Sequence, residues 1–167
     1  MTQFSLSPDA HHYLGIEANQ QTWALLTQPE RSEQDNRRME HFALASLHHW
    51  QHSPHFTPVN AQRGHWLLAR VYAVLSRGEE SLHHAEACLA LNEAHSITGL
   101  DRAYAHEAVA RAKASLDHKE EAMNHLKQAQ STGGLIDVKE DQELFFQDLN
   151  DGPWFQLDVQ KAIELVE

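Results

Sequence analysis

One stretch of this chain occurs twice, and that repetition limits the folds available to it more than any other feature. Shifted by 41 positions, residues 64–93 fall on residues 105–134 without a gap. Eight pairs coincide: His65/His106, Ala69/Ala110, Arg70/Arg111, Ala73/Ala114, Leu75/Leu116, Glu79/Glu120, Glu80/Glu121 and His84/His125. The first copy reads as an apolar helix, a Gly-containing turn and a second helix rich in small residues. A helix–turn–helix unit of this kind cannot bury its apolar face alone, so copies stack on one another.

Breakers divide the rest of the chain into segments of helical length. Ser7-Pro8-Asp9 offers an N-cap with Pro at the first helical position, and the first helix carries Tyr13, Leu14, Trp23, Leu25 and Leu26 before Pro29. Ser32 to Asp35 opens a second helix, which places Phe42, Leu47 and Trp50 toward the core and ends near Pro54. Thr57-Pro58 opens the third, at 59–77. Its apolar residues surround most of the axis (Trp66, Leu67, Leu68, Val71, Tyr72, Val74, Leu75), so it is expected at the centre of the molecule. A fourth helix follows Gly78, and a fifth starts at Gly99-Leu100 with Ala105, Ala108, Val109 and Ala112 inward. Asp117 and Glu120 stand at capping-box spacing for a sixth helix, Asp137 and Glu140 for a seventh. Beyond Gly152-Pro153, residues Trp154, Phe155, Leu157, Ala162, Ile163 and Val166 suit a short closing helix. No segment alternates with period two, so the fold class is all-α, an α–α superhelix of about seven helices with a C-terminal capping segment.

Charge and cysteine content narrow the function. A formal charge of −11 disfavours a protein that grips phosphate backbones, so no nucleic-acid partner is expected. No apolar run approaches the roughly 20 residues of a bilayer-spanning helix, and the first residues lack the basic start and apolar core of a secretory signal. A single cysteine, Cys88, suits a reducing compartment, and the expected location is cytoplasmic.

The repeated unit resembles the tetratricopeptide repeat. Leu68, Ala69 and Tyr72 match the large–small–aromatic pattern of its first helix, and Ala85 and Cys88 take places in its second; Val109, Ala110, Ala122, Leu126 and Ala129 match in the next unit. Ser81 stands where alanine is usual and Lys113 where tyrosine is. The spacing of 41 exceeds the family's roughly 34 residues, and a long loop near 94–101 is the expected cause. More closely, the chain resembles a group of short bacterial proteins of this type, through Asn19, Trp23, Leu25, Leu26, Pro29, Arg31, Ala45, Ser46, His49, Trp50, Arg63, Gly64, Trp66, Val71, Tyr72, His84 and Ala85. The resemblance implies one domain over 1–167: a degenerate helix pair at 8–54, repeats at 58–95 and 101–134, and a cap at 138–167. It also implies a concave groove lined by the first helix of each pair, with Arg63, Trp66, Arg70, Tyr104, Glu107 and Arg111 facing it. Arginine and aromatic side chains in a groove suit an anionic protein or peptide partner. Arg63, Arg70 and Arg77 also read as a solvated stripe at seven-residue spacing, and Trp66 as a core indole.

A second reading comes from the run LHHWQHSPH, where His48 and His52 are four apart on one helical face and His55 follows in a turn. That is metal-ligand spacing without any Asp, Glu or Cys to complete it. A third is a small-ligand sensor at the mouth of the groove. No catalytic motif is present, so no enzyme activity and no cofactor are expected: His106-Glu107 begins like a zincin helix, but Ala110 stands where the second histidine belongs. Asn19, His49, Arg63 and Glu107 remain a set that only the fold can bring together. The closing segment either caps the last repeat or packs on a second copy, which leaves monomer and homodimer both open.

Overall fold

The structure, a computed structural model, describes residues 6–159, and within them seven helices and no strand. They are α1 (Pro8–Leu26), α2 (Glu33–Gln51), α3 (Pro58–Val74), α4 (Gly78–Ala94), α5 (Leu100–Ser115), α6 (Lys119–Gly133) and α7 (Lys139–Asn150). Consecutive helices pack as antiparallel pairs, α1 with α2, α3 with α4 and α5 with α6, in an α–α superhelical arrangement. The first helices of successive pairs also touch, α3 with α5 and α5 with α7. They therefore share one side of the molecule, and that side carries the cleft described below.

Three starts are built as the sequence dictates. Ser7 accepts from the Ala10 N–H with Pro8 at the first helical position. Ser32 and Asp35 form a reciprocal capping box, as do Thr57 and Asn60. The two other acidic capping boxes do not form. Asp117 lies at φ 61°, in the left-handed turn that ends α5, where the His118 N–H reaches back to the Lys113 carbonyl. Ser76, 41 residues earlier, does the same at φ 57°, with the Arg77 N–H on the Tyr72 carbonyl. The short turn is spent on closing one helix, so α6 begins at Lys119 with no side-chain cap. Helix α7 likewise starts after Val138, uncapped by Asp137.

The long spacing of the repeat has a different origin from the one expected. The link between α4 and α5 is only residues 95–99, while α3 and α4 run to 17 residues each. The length lies in the helices.

Pairs approach closely because small residues face each other. The Ser81 hydroxyl donates to the Ala69 carbonyl at 2.8 Å, which accounts for serine at an alanine place, and Ser46 donates to the Gly15 carbonyl at 2.9 Å in the first pair. Their first-helix partners sit four residues after His65 and His11. The same crossing therefore recurs in a hairpin that the 41-residue shift does not reach.

Helix α3 is well buried through Leu67, Leu68, Val71 and Tyr72, but α5 is the more central element. It packs on α3, α4, α6 and α7 and buries every position from Ala105 to Ala112. Alanines allow that close approach without the bulk that marks a core helix in sequence. The segment 154–158 is a turn rather than a helix, with Phe155 and Gln156 at positive φ; Ala162, Ile163 and Val166 of the expected closing helix lie outside the described residues. Trp154 nonetheless covers the end of the α5–α7 core, and its indole N–H donates to the Leu149 carbonyl at 2.8 Å.

Gly133 shows how little slack this end has. A Cβ there would stand 2.6 Å from Cδ1 of Phe145, a ring with no exposed surface and nowhere to retreat. Gly133→Ala is expected to cost about 1–3 kcal/mol by overpacking. Urea unfolding checks this: the midpoint falls while the slope is kept.

Candidate functional site

Four aromatic rings, one from each first helix, run in a row across the molecule. Trp23 of α1 lies 5.7 Å from Trp66 of α3, Trp66 lies 4.8 Å from Tyr104 of α5, and Tyr104 meets Phe145 of α7 edge-on at 5.0 Å. Above this row lie two adjoining cavities of about 620 and 610 Å³, which share Trp23, Trp66 and Asp148. Arg31, Arg70 and the 151–153 turn line one; Asn19, Arg63, Asp101, Tyr104, Asp141 and Leu144 line the other.

Beneath the row sits Glu107, 1 % exposed, which accepts from three side chains. The Trp66 indole N–H donates to Oε2 at 3.0 Å, Arg111 Nε donates to Oε1 at 2.6 Å, and Arg70 Nη1 stands 3.5 Å from Oε1. Arg111, also 1 % exposed, spends its other donors on the carbonyls of Asp148, Asp151 and Pro153, and its guanidinium lies 4.1 Å over the Trp154 ring. Burial pulls its pKa down to about 10, against the opposing pull of Glu107, so it stays charged at neutral pH.

The expected groove residues therefore divide. Trp66, Arg70 and Tyr104 face the cleft. Arg63 is at its rim, with Nε and Nη2 donating to the two oxygens of Asp101 at 2.7 and 3.0 Å. Glu107 and Arg111 are a correction: both are buried beneath the cleft, satisfied within the chain, and present no surface to a partner. Tyr104 donates to Asp148 at 2.6 Å, and burial with that bond pushes its phenol pKa up. Arg31 is committed to the carbonyls of Leu25, Leu26 and Gln28. Arg70 is the least committed cation of the cleft: among the described residues the long contact to Glu107 is its single ion pair, and its side chain keeps 14 % exposure. Trp23 and the aspartates of α7 join the cleft without being marked in sequence. Trp23 reads as a core residue there, and nothing distinguishes Asp148 from its exposed neighbours. Asn19 and Arg63 share the cleft, but His49 is bonded elsewhere and Glu107 is buried, so that set does not converge.

Comparison with protein-family models, with curated proteins and with solved structures finds no match to this chain. The cleft is read on its own chemistry.

The histidines form pairs, one across each hairpin. Nδ1 meets Nδ1 at 2.9 Å for His11 and His49, 2.9 Å for His65 and His84, and 3.2 Å for His106 and His125. One ring donates and the other accepts, so doubly protonated pairs are repelled. His55 does not join His48 and His52; it lies against His12, at 4.8 Å between ring centres, which corrects the expected metal set. Cys88 is fully buried, and burial raises its thiol pKa, away from any nucleophilic role.

Two outcomes follow. Arg111→Met leaves the Glu107 carboxylate buried without its main partner and is expected to cost about 3–5 kcal/mol, much of it recovered when Glu107→Gln is added; denaturant titration of the single and double variants measures this. The second concerns pH. Burial, with neighbouring histidines, lowers His84 and His106 to about 4, and burial lowers His65 and His125 as well. Unfolded, these imidazoles take up a proton near their ordinary 6.5. Between about 4 and 6.5 the unfolded chain binds more protons. Their contribution is thus complete above pH 6.5 and lost as pH falls toward 4. Melting temperature is expected to drop steadily from pH 7 to pH 5, and less so in a variant carrying His84→Gln and His125→Gln.

Proposed function

We propose that the chain is a peptide-docking module, and that the cleft over Trp23, Trp66 and Tyr104 holds an extended segment of a partner protein. The observation that carries this reading is the position of Arg70. It is a partly exposed guanidinium, engaged by one long contact, beside an aromatic floor wide enough to seat an apolar side chain. A carboxylate of the incoming segment forms the bidentate pair that Glu107 does not supply. An aromatic or aliphatic side chain two or three residues along packs on Trp23 and Trp66, as anchors at interfaces do.

The cleft's own carboxylates refine the partner. Asp101, Asp141, Asp148 and Asp151 line it, so an uninterrupted acidic segment is opposed. The segment that fits carries one acidic group at Arg70 and basic or hydrogen-bond-donating groups toward α7. A segment of several residues fits two adjoining cavities that share Trp23, Trp66 and Asp148 better than a single small ligand does. No helix among the described residues is long and apolar enough to cross a membrane.

Selection from a displayed library of random peptides tests this. Enriched peptides are expected to combine one acidic residue with an aromatic or aliphatic neighbour. Arg70→Gln, which leaves the Glu107–Arg111 pair in place, should weaken them at least tenfold, the ratio for about 1.4 kcal/mol. Failure to enrich any peptide, or binding indifferent to Arg70→Gln and Trp23→Ala, overturns the proposal.

A further inference from the structure

Three hairpins carry a histidine pair, and one pair differs from the others. At α3–α4 and α5–α6 the rings are held between helices, with His65, His84 and His125 partly buried and His106 buried. At the open end of the α1–α2 hairpin the pair is more exposed and has company. His48 stands one residue before His49 on α2, and His11, His48 and His49 offer ring nitrogens that all lie within 4.8 Å of one another. His52 flanks them, its ring centre 4.5 Å from His48 and 5.1 Å from His11. Its Nδ1 lies 2.8 Å from the His48 carbonyl and must be the donor there, because a carbonyl cannot donate.

We propose that His11, His48 and His49 form a binding site for a divalent transition-metal ion of the kind that takes imidazole ligands, such as zinc. The donor set decides the class. Imidazole nitrogens without a carboxylate suit zinc, copper or nickel, and do not suit magnesium or calcium, which need oxygen. Tetrahedral zinc with bonds near 2.0–2.1 Å sets its nitrogens roughly 3.4 Å apart. The His11–His49 pair, at 2.9 Å, opens slightly to reach that spacing, and the three ligand atoms, already within 4.8 Å of one another, close onto the ion by side-chain rotation with the exposed His48 ring free to move.

Placement supports the site further. His11 lies near the start of α1, while His48 and His49 lie near the end of α2, so an ion held by all three ties the open end of the hairpin. The Ser46–Gly15 contact lies one turn farther in and already holds the two backbones close, so the ligands are presented from a fixed crossing. The ion interaction adds to that crossing without rearranging it. The site shares no residue with the peptide cleft and stands or falls independently of it.

Isothermal titration of zinc into untagged, chelator-treated protein tests the proposal, with cobalt absorption as the second readout. One equivalent is expected to bind at least tenfold tighter than any later ones, and four-coordinate cobalt gives its intense visible bands. His48→Gln and His49→Gln should each weaken that equivalent tenfold or more. His55→Gln and His83→Gln, elsewhere on the surface, should leave it unchanged. His48 is exposed, so its replacement keeps the fold, and zinc should raise the melting temperature of the parent chain but not of His48→Gln. Several weak equivalents, indifferent to His48 and His49, would mean a histidine-rich surface only and would overturn the site.

Discussion

A single buried carboxylate holds the centre of this molecule together. Glu107 accepts from Trp66 and Arg70 on α3 and from Arg111 on its own helix, and Arg111 carries the connection onward to the carbonyls of the 148–153 turn. An isolated charge in such a place would be expelled or neutralised, because burial of an ion costs several kcal/mol. It stays because a guanidinium of equal burial answers it and because that guanidinium is satisfied at every edge. The aromatic row rests on this arrangement. Trp66 holds its orientation through the bond to Glu107, Tyr104 through its bond to Asp148, and the cleft takes its floor from both rings.

The repeat in sequence led to the right architecture and to an uneven view of the cleft. Arg70 and Arg111 occupy matching places, and on pattern alone they are equivalent. The fold separates them by degree of covering: α7 and the turn after it close over Arg111 and leave it 1 % exposed, while Arg70 meets α5 through its long contact to Glu107 and keeps 14 % of its side chain exposed. A one-dimensional pattern cannot show what packs over each copy. Nor could it show that both arginines turn to the same acid, since the place matching Glu107 in the first unit is Trp66. The importance of α5 was hidden for a related reason. Alanine is a weak hydrophobe, and a helix made inward-facing by smallness looks unremarkable beside the bulky run of α3.

The first hairpin was the least legible element, because no shift of 41 reaches it. What it shares with the others is a local crossing of four residues, a histidine and a small residue on each helix, seen at His11, Gly15, Ser46 and His49 and again at His65, Ala69, Ser81 and His84. In the first hairpin that crossing lies far from the connecting loop; in the second it lies close to it. The sequence separation between partners therefore changes from 38 to 19 while the contact stays the same. The excess of histidine has its origin here: six of the 14 are members of a crossing pair.

Stacked helical repeats ordinarily behave as near-independent links, each stabilised by its neighbours alone, so that units can be lost from an end one at a time. The row of aromatics and the Glu107–Arg111 connection change that expectation. They join α1, α3, α5 and the end of α7 along one side, so removing the 148–153 turn would strip partners from an ion pair two helices away. Such an array gives up modularity for cooperativity: its outer helices cannot loosen without disturbing the ion pair at its middle.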